Sequence, residues 1–160
     1  MPNLRMKTAC FTGHRVLPET ELPEIAERLE GALTALIEQG YRYFGAGGAL
    51  GFDTLAAQTV LRLRERYPQI RLILVLPCCD QTRGWPQADI DIYEEIKRRA
   101  DKVTYTSENY FRGCMQKRNR YLVDNSSVCI CYLNKSTGGT ACTVNYARRC
   151  GLQILDAAQS

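Results

Sequence analysis

Phe44-Gly45-Ala46-Gly47-Gly48-Ala49-Leu50-Gly51-Phe52-Asp53 is the stretch on which the reading of this chain turns. Four glycines fall within seven positions, Gly45 to Gly51. A short apolar run precedes them and a helical pattern follows. The stretch therefore reads as strand, glycine turn, helix. Glycine admits positive φ and lets another group approach the backbone closely. The first turn of the next helix offers unpaired N–H groups and the positive end of a dipole. Two readings follow. The stretch is a seat for an anion, most often a phosphate, or it is a tight turn whose glycines only let strand and helix pack.

Working outward, the same alternation recurs along the chain. Lys7 to Phe11 reads as a first strand ending in the polar turn Thr12-Gly13-His14-Arg15. Leu22, Ile25, Leu29, Leu33, Leu36 and Ile37 recur at three- and four-residue spacing, which predicts an amphipathic helix stopped by Gly40. Tyr41 to Phe44 is the second strand. Asp53 is placed to cap the helix after the glycine stretch, with Leu55, Ala56, Val60 and Leu63 on its apolar side. Ile70 to Leu76 is an almost unbroken apolar run, as in a parallel strand buried on both faces.

The loop Cys78 to Gln87 carries Arg83, Gly84 and Trp85, the only tryptophan. A helix is expected over Ala88–Ala100, a weaker strand over Asp101–Tyr105 and a helix over Met115–Asn125. Val128–Leu133 is a fifth strand, and Asn134-Lys135-Ser136-Thr137-Gly138-Gly139-Thr140 is a second glycine turn. A helix to Arg149 and a strand over Leu152–Leu155 complete the pattern. Strands alternating with helices call for an α/β fold with a mostly parallel central sheet covered on both faces. No linker, repeat or low-complexity segment divides residues 1–160, so a single domain is expected.

Composition narrows the partners. The net charge of +4 comes from interleaved bases and acids, without the basic stripe of a dedicated DNA binder. No apolar run reaches membrane-spanning length and no signal peptide is visible, so a soluble cytoplasmic protein is expected. The eight cysteines include no Cys-x-x-Cys, and His14 is the only histidine. They read as reduced thiols packed as small hydrophobes rather than as a disulfide framework or a zinc site. The exposure of Cys78 and Cys79 would decide whether they react.

In parallel α/β sheets the ligand lies at the carboxyl ends of the strands, near a switch in strand order. There the sequence delivers Gly13, His14 and Arg15, then Gly47, Gly48, Gly51 and Asp53, then Trp85, and finally Gly138, Gly139 and Thr140. Two glycine turns each opening a helix, with an arginine on the same edge, point to a phosphorylated ligand. The dinucleotide fingerprint is not met, because Leu50 stands where Gly-x-Gly-x-x-Gly needs glycine. No Gly-Lys-Ser or Gly-Lys-Thr occurs, so there is no P-loop. Arg118 falls near the apolar side of its helix, one turn from Met115 and Leu122. It makes either a salt bridge, with Asp124 or Asp101, or a contact to ligand in the cleft. Trp85 either stacks on a base or plugs the edge of the core. His14 is either a general acid or base or a hydrogen-bonded structural group.

The order Thr12-Gly13-His14-Arg15, Gly47 to Asp53, Trp85 and Tyr93, Met115 to Asp124 with Arg118-Asn119, and Gly138-Gly139-Thr140 with Tyr146-Ala147 resembles the SLOG superfamily. Within it, the chain is most similar to the YpsA-like branch of small bacterial proteins, nearly end to end. The resemblance implies a Rossmann-like three-layer sandwich with a pocket for nucleotides or nucleotide-derived ligands. It implies an ADP-ribose- or NAD-like ligand bound by a sensor or regulatory protein, and a homodimer or higher homo-oligomer. No cofactor and no metal are expected.

The superfamily also includes the lonely-guy phosphoribohydrolases, which release a base from a nucleoside monophosphate, and the DprA proteins, which load single-stranded DNA. The lonely-guy enzymes follow their second glycine turn with a catalytic glutamate. Here Gly138-Gly139-Thr140 is followed by Ala141-Cys142-Thr143. N-glycosidic hydrolysis needs a carboxylate, so Asp53 and Asp124, with Arg118, are the catalytic candidates of that alternative. A DprA-like single-strand module is the third reading, against which the modest charge weighs. The expected ligand-binding set is thus Gly13, His14, Arg15, Gly47, Gly48, Gly51, Asp53, Trp85, Arg118, Asn119, Gly138, Gly139 and Thr140.

Overall fold

The computed structural model describes residues 3–159. Its six strands are β1 (Thr8–Gly13), β2 (Tyr43–Ala46), β3 (Arg71–Leu76), β4 (Lys102–Tyr105), β5 (Val128–Tyr132) and β6 (Gln153–Asp156). Its α-helices are α1 (Leu22–Glu38), α2 (Phe52–Arg66), α3 (Gln87–Arg99), α4 (Cys114–Asp124) and α5 (Gly139–Arg149). The strands form one sheet in the order β4-β3-β2-β1-β5-β6, and every pairing is parallel. From β1 the chain winds outward through β2 and β3 to β4. It then returns to lay β5 on the other side of β1. The carboxyl ends of β1 and β5 therefore form the switch point at which such sheets bind ligands.

Side chains alternate across the sheet and build two cores. Ala9 and Phe11 of β1, Leu72 and Leu74 of β3, and Val128 and Ile130 of β5 join one core with Leu29, Leu33, Phe52 and Val60 from α1 and α2. Cys10, Val75, Cys129 and Cys131 face the other way, against Leu122 and Val123 of α4 and Val144 and Ala147 of α5. Small residues on this second face let the helices come close. A β-carbon at Gly45 would lie 2.8 Å from Leu122 Cδ2. The α1 stripe buries Ile25, Leu29, Leu33, Leu36 and Ile37, each side chain contributing about 1.5–3 kcal/mol of burial. Leu22, which the spacing places in that stripe, is exposed in the first turn.

The carboxyl ends of β1 and β2 extend beyond the sequence reading for one reason. Strand pairing continues into the polar turns. β1 runs to Gly13 because Thr12 and Gly13 pair with Cys131 and Tyr132. β2, which starts at Tyr43, runs on to Ala46 because Gly45 and Ala46 pair with Ile73 and Leu74. Part of the glycine stretch is thus strand.

All eight cysteines are free; Cys10, Cys78, Cys114, Cys129 and Cys131 are buried, and Cys79 and Cys142 are exposed. Burial pushes the Cys78 thiol up to about 11. A maleimide applied to the folded protein is expected to label Cys79 and Cys142 well before the five buried thiols, read by mass spectrometry of peptides. Equal labelling of Cys78 and Cys79 would contradict this packing.

Candidate functional site

The glycine stretch after β2 is a locked joint. Gly51 has φ of 77°, a conformation that L side chains rarely adopt. A β-carbon there would overlap the backbone carbonyls of His14 and Arg15. The Phe52 amide donates to the His14 carbonyl at 3.1 Å. The Phe52 ring stacks on Tyr132 at 6.3 Å, meets Phe11 edge-on at 6.4 Å, and occupies the space a side chain at Gly13 would need. Gly51 and Phe52 thereby clamp the start of α2 to the ends of β1 and β5.

The same stretch holds an anion belonging to the protein itself. The Asp53 side chain is 6% exposed. Rather than capping α2, it reaches back, and its Oδ2 accepts from the Ala49 amide at 3.2 Å. Burial raises its pKa from 3.8 to about 6, opposed by Arg118, by the Ala49 and Gly47 amides and by Arg15. Arg118 is also buried, at 4% exposure. It donates from Nη1 to the Gly47 carbonyl and from Nε to Asn119 Oδ1 at 2.8 Å. Burial lowers its pKa, and Asp53 is the main charge opposing that shift. A β-carbon at Gly47 would lie 2.6 Å from Arg118 Nη1, and one at Gly48 would lie 2.6 Å from Leu76 Cδ2. Gly47, Gly48 and Gly51 are therefore filled in by protein atoms and are not brought to a cavity wall.

A cavity of about 290 Å³ opens at the switch point. Gly13, His14 and Arg15 form one side, Arg118 and Asn119 another, Gly138, Gly139 and Thr140 a third, and Asp53 lies within it. The α5 N-terminus supplies unpaired amides here. Cys142 makes the first intrahelical bond, to the Gly138 carbonyl at 3.0 Å, and no side chain caps the helix. The amides of Gly139, Thr140 and Ala141 precede it. No neighbouring atom crowds Gly138 or Gly139, in contrast to the first glycine stretch. Lys135 also lines the cavity. Neither Arg15 nor Lys135 belongs to an ion pair among the described residues. Both are exposed, and with Arg118 they give the cavity three cations.

His14 behaves as a structural group. Its Nε2 accepts from the Asn134 amide at 3.1 Å, which places the remaining ring proton on Nδ1. Burial lowers its pKa, assisted by Lys135. The neutral ring ties the turn after β1 to the loop before α5.

Trp85 stands in an adjoining cavity of about 430 Å³. Arg15 and Met115 line both cavities. The Trp85 ring is half-buried, packs against the core and meets Tyr93 edge-on at 5.5 Å. The ring thus plugs the edge of the core, as one of the two sequence readings has it, and also borders a cavity.

Asp124 is a correction. It sits at the far end of α4, exposed, accepting from Tyr146 Oη at 2.6 Å, and does not line the cavity. Nor is it the partner of Arg118. Asp101 is not that partner either, since it pairs with Arg64 at 2.8 Å. The acid beside Arg118 is Asp53. The sequence reading missed Lys135 and Gln81. Gln81 is buried, donates to the Gly47 carbonyl at 3.2 Å and accepts from Tyr93 Oη at 3.2 Å. Lys135 had one available signal, its place inside the second glycine turn.

A larger hollow of about 520 Å³ lies beside β6. Two of its polar side chains, Arg28 and Asp156, are already paired. Arg28 donates to the Ala157 carbonyl at 3.2 Å, and Asp156 Oδ1 accepts from the Leu133 and Ala158 amides. It lacks the open helix terminus that marks the switch-point cavity. Among the described residues no group of three or more histidine, cysteine, aspartate or glutamate side chains is arranged to hold a metal ion. Among the described residues no helix is long and apolar enough to cross a membrane.

Together these features define a Rossmann-like domain with a cationic cavity at its switch point. A family model described as the YspA SLOG family matches residues 18–150, and the chain belongs to that family. It is 30% identical over 128 residues to a UPF0398 protein of Bacillus pumilus, covering 74% of this chain and 69% of that one. It is 34% identical over 104 residues to the UPF0398 protein BH1768 of Halalkalibacterium halodurans, covering 64% of this chain and only 55% of that one. The SPbeta prophage-derived protein YoqJ of Bacillus subtilis is 27% identical over 139 residues, covering 79% of this chain and 81% of its own length.

Among solved structures, DNA processing protein A (DprA) from Streptococcus pneumoniae superposes with a TM-score of 0.70 at 18% identity. That match covers 96% of this chain and 50% of DprA. DprA from Helicobacter pylori, described with a single-stranded DNA binding mode, gives 0.66 at 18% identity, covering 96% of this chain and 66% of its own. At this identity the likeness shows the shared fold.

Proposed function

We propose that the switch-point cavity binds a phosphate-bearing nucleotide or nucleotide-derived ligand of the ADP-ribose or NAD type, and that the protein acts as a sensor or regulator. One observation carries the reading: the uncapped start of α5 lines the same cavity as Arg15, Lys135 and Arg118. Unpaired helix amides and unpaired cations are what a phosphate needs. The Gly139 and Thr140 amides take the phosphate, with Arg15 and Lys135 balancing its charge. The adjoining cavity seats the base or a second sugar beside Trp85, reached past Arg15. Gly13 and Asn119 shape the wall, and Gly47, Gly48 and Gly51 act behind it by holding Arg118 and α2 in place.

A ligand at 100 times its Kd stabilises the folded state by about 2.7 kcal/mol, a rise of several degrees in Tm for a domain of this size. Thermal shift with ADP-ribose, NAD and AMP is expected to show that rise. Lys135→Ala should weaken it about tenfold in Kd, as loss of one charge-assisted contact does. The recovered ligand should be intact. No shift with any phosphorylated nucleotide would sink the reading.

A second reading is N-glycosidic hydrolysis. It draws on Asp53, a carboxyl in the cavity with a pKa near 6. Release of free base or nicotinamide in the same experiment, lost in Asp53→Asn, would establish it. Binding of single-stranded nucleic acid, suggested by the DprA likeness, would instead show a steep salt dependence.

A further inference from the structure

We propose that Asp53 reads a sugar hydroxyl of the bound ligand, so that the cavity selects a ribose-bearing phosphate over a bare anion or a deoxyribose compound. This rests on the phosphate reading above. Asp53 Oδ1 is buried and is the one buried side-chain nitrogen or oxygen without a hydrogen-bond partner among the described residues. Its companion Oδ2 is already held by the Ala49 amide, and the Gly47 amide, though near enough to favour the charged carboxyl, makes no hydrogen bond to Oδ1. Arg118 does not fill the gap. Its contacts go to the Gly47 carbonyl, to Asn119 Oδ1 and to Met115 Sδ at 3.9 Å. No ion pair joins it to Asp53 among the described residues. Buried polar atoms are otherwise partnered, and one left alone has lost its hydration with nothing in return.

Asp53 lines the cavity, so an occupant can supply the missing donor. An ionised phosphate presents acceptors only. An ammonium group is opposed by Arg15, Arg118 and Lys135 around the same space. A hydroxyl is a neutral donor, and a sugar phosphate carries hydroxyls a few bonds from its anion. The α5 terminus and Asp53 thus divide the recognition, the first taking the phosphate and the second the sugar.

The test is calorimetric titration of the full chain with ADP, 2′-deoxy-ADP, 3′-deoxy-ADP and inorganic pyrophosphate. ADP is expected to bind roughly 10–100-fold more tightly than at least one deoxy form, the range of one hydrogen bond to a buried charge. Pyrophosphate should bind more weakly than ADP. In Asp53→Asn the ribo-to-deoxy ratio should fall toward one, while Lys135→Ala weakens all three nucleotides alike. Equal affinity of wild-type protein for ADP and both deoxy forms, each still weakened by Lys135→Ala, would overturn the role of Asp53 and leave the phosphate reading intact. Binding of none of the four would overturn both. The wild-type comparison decides the matter even if a variant folds poorly.

Discussion

Gly51→Ala is expected to lower stability by about 3 kcal/mol or more, and Tm by roughly 6–12 °C for a domain of this size. Two causes add. The φ of 77° costs a non-glycine residue about 1–2 kcal/mol. The new methyl would also overlap the His14 and Arg15 carbonyls, which are backbone and cannot swing aside. The Phe52–His14 hydrogen bond and the Phe52 stack on Tyr132 would be strained together. Gly139→Ala is the matched control. Nothing crowds that position, and it begins a helix, where alanine is favoured. Its melting temperature should stay within a degree or two of wild type, a change of at most about 0.5 kcal/mol. Chemical denaturation of the two variants beside wild type makes the comparison. A Gly51→Ala protein as stable as Gly139→Ala would refute the locked joint.

Asp53→Asn is expected to raise stability at pH 8, by up to about 3 kcal/mol, from a shift of about two pKa units. The folded pKa of about 6 lies above the unfolded value of 3.8. Between those values the folded chain holds a proton that the unfolded chain has lost. Wild-type stability therefore falls as pH rises from 3.8 through 6 and is lowest above that range. The neutral amide avoids this loss and still offers an oxygen to the Ala49 amide. The gain should shrink as pH falls through 6 and vanish near pH 4. Melting curves of both proteins from pH 4 to pH 8 test it. A variant less stable than wild type at pH 8 would mean that attraction to Arg118 outweighs the cost of burial, contrary to the shift. A buried carboxylate that weakens the fold while lining the cavity fits a group kept for what it binds.

Much of the architecture is legible in the sequence because it is written in short-range periodicity. The apolar run Ile70–Leu76 and the three- and four-residue spacing of Leu29, Leu33 and Leu36 mark a buried strand and an amphipathic helix without reference to the rest of the chain. Alternation of such segments implies a parallel sheet, but it does not say that β1 is flanked by β2 and β5. The two glycine stretches look alike in sequence and differ in space, because one meets Arg118, Leu76 and the His14–Arg15 backbone while the other meets nothing. Helical spacing puts Arg118 on the apolar side of α4, yet it cannot name Asp53 as the acid beside it. Lys135 is a lone base in a polar turn, and only the folded loop sets it in the cavity wall with Arg15 and Arg118.

The His14–Asn134 hydrogen bond spans 120 residues of chain. Pairing across so long a separation carries a large loop-closure entropy and belongs to the slow steps of folding. The cavity has one wall near each end of that span, Gly13–Arg15 and Lys135–Thr140. A growing chain that has completed β1 to β4 has no binding site at all. On the proposed function, competence to bind arrives with the docking of β5 and α5 against β1, and a ligand present at that moment would draw that folding step forward.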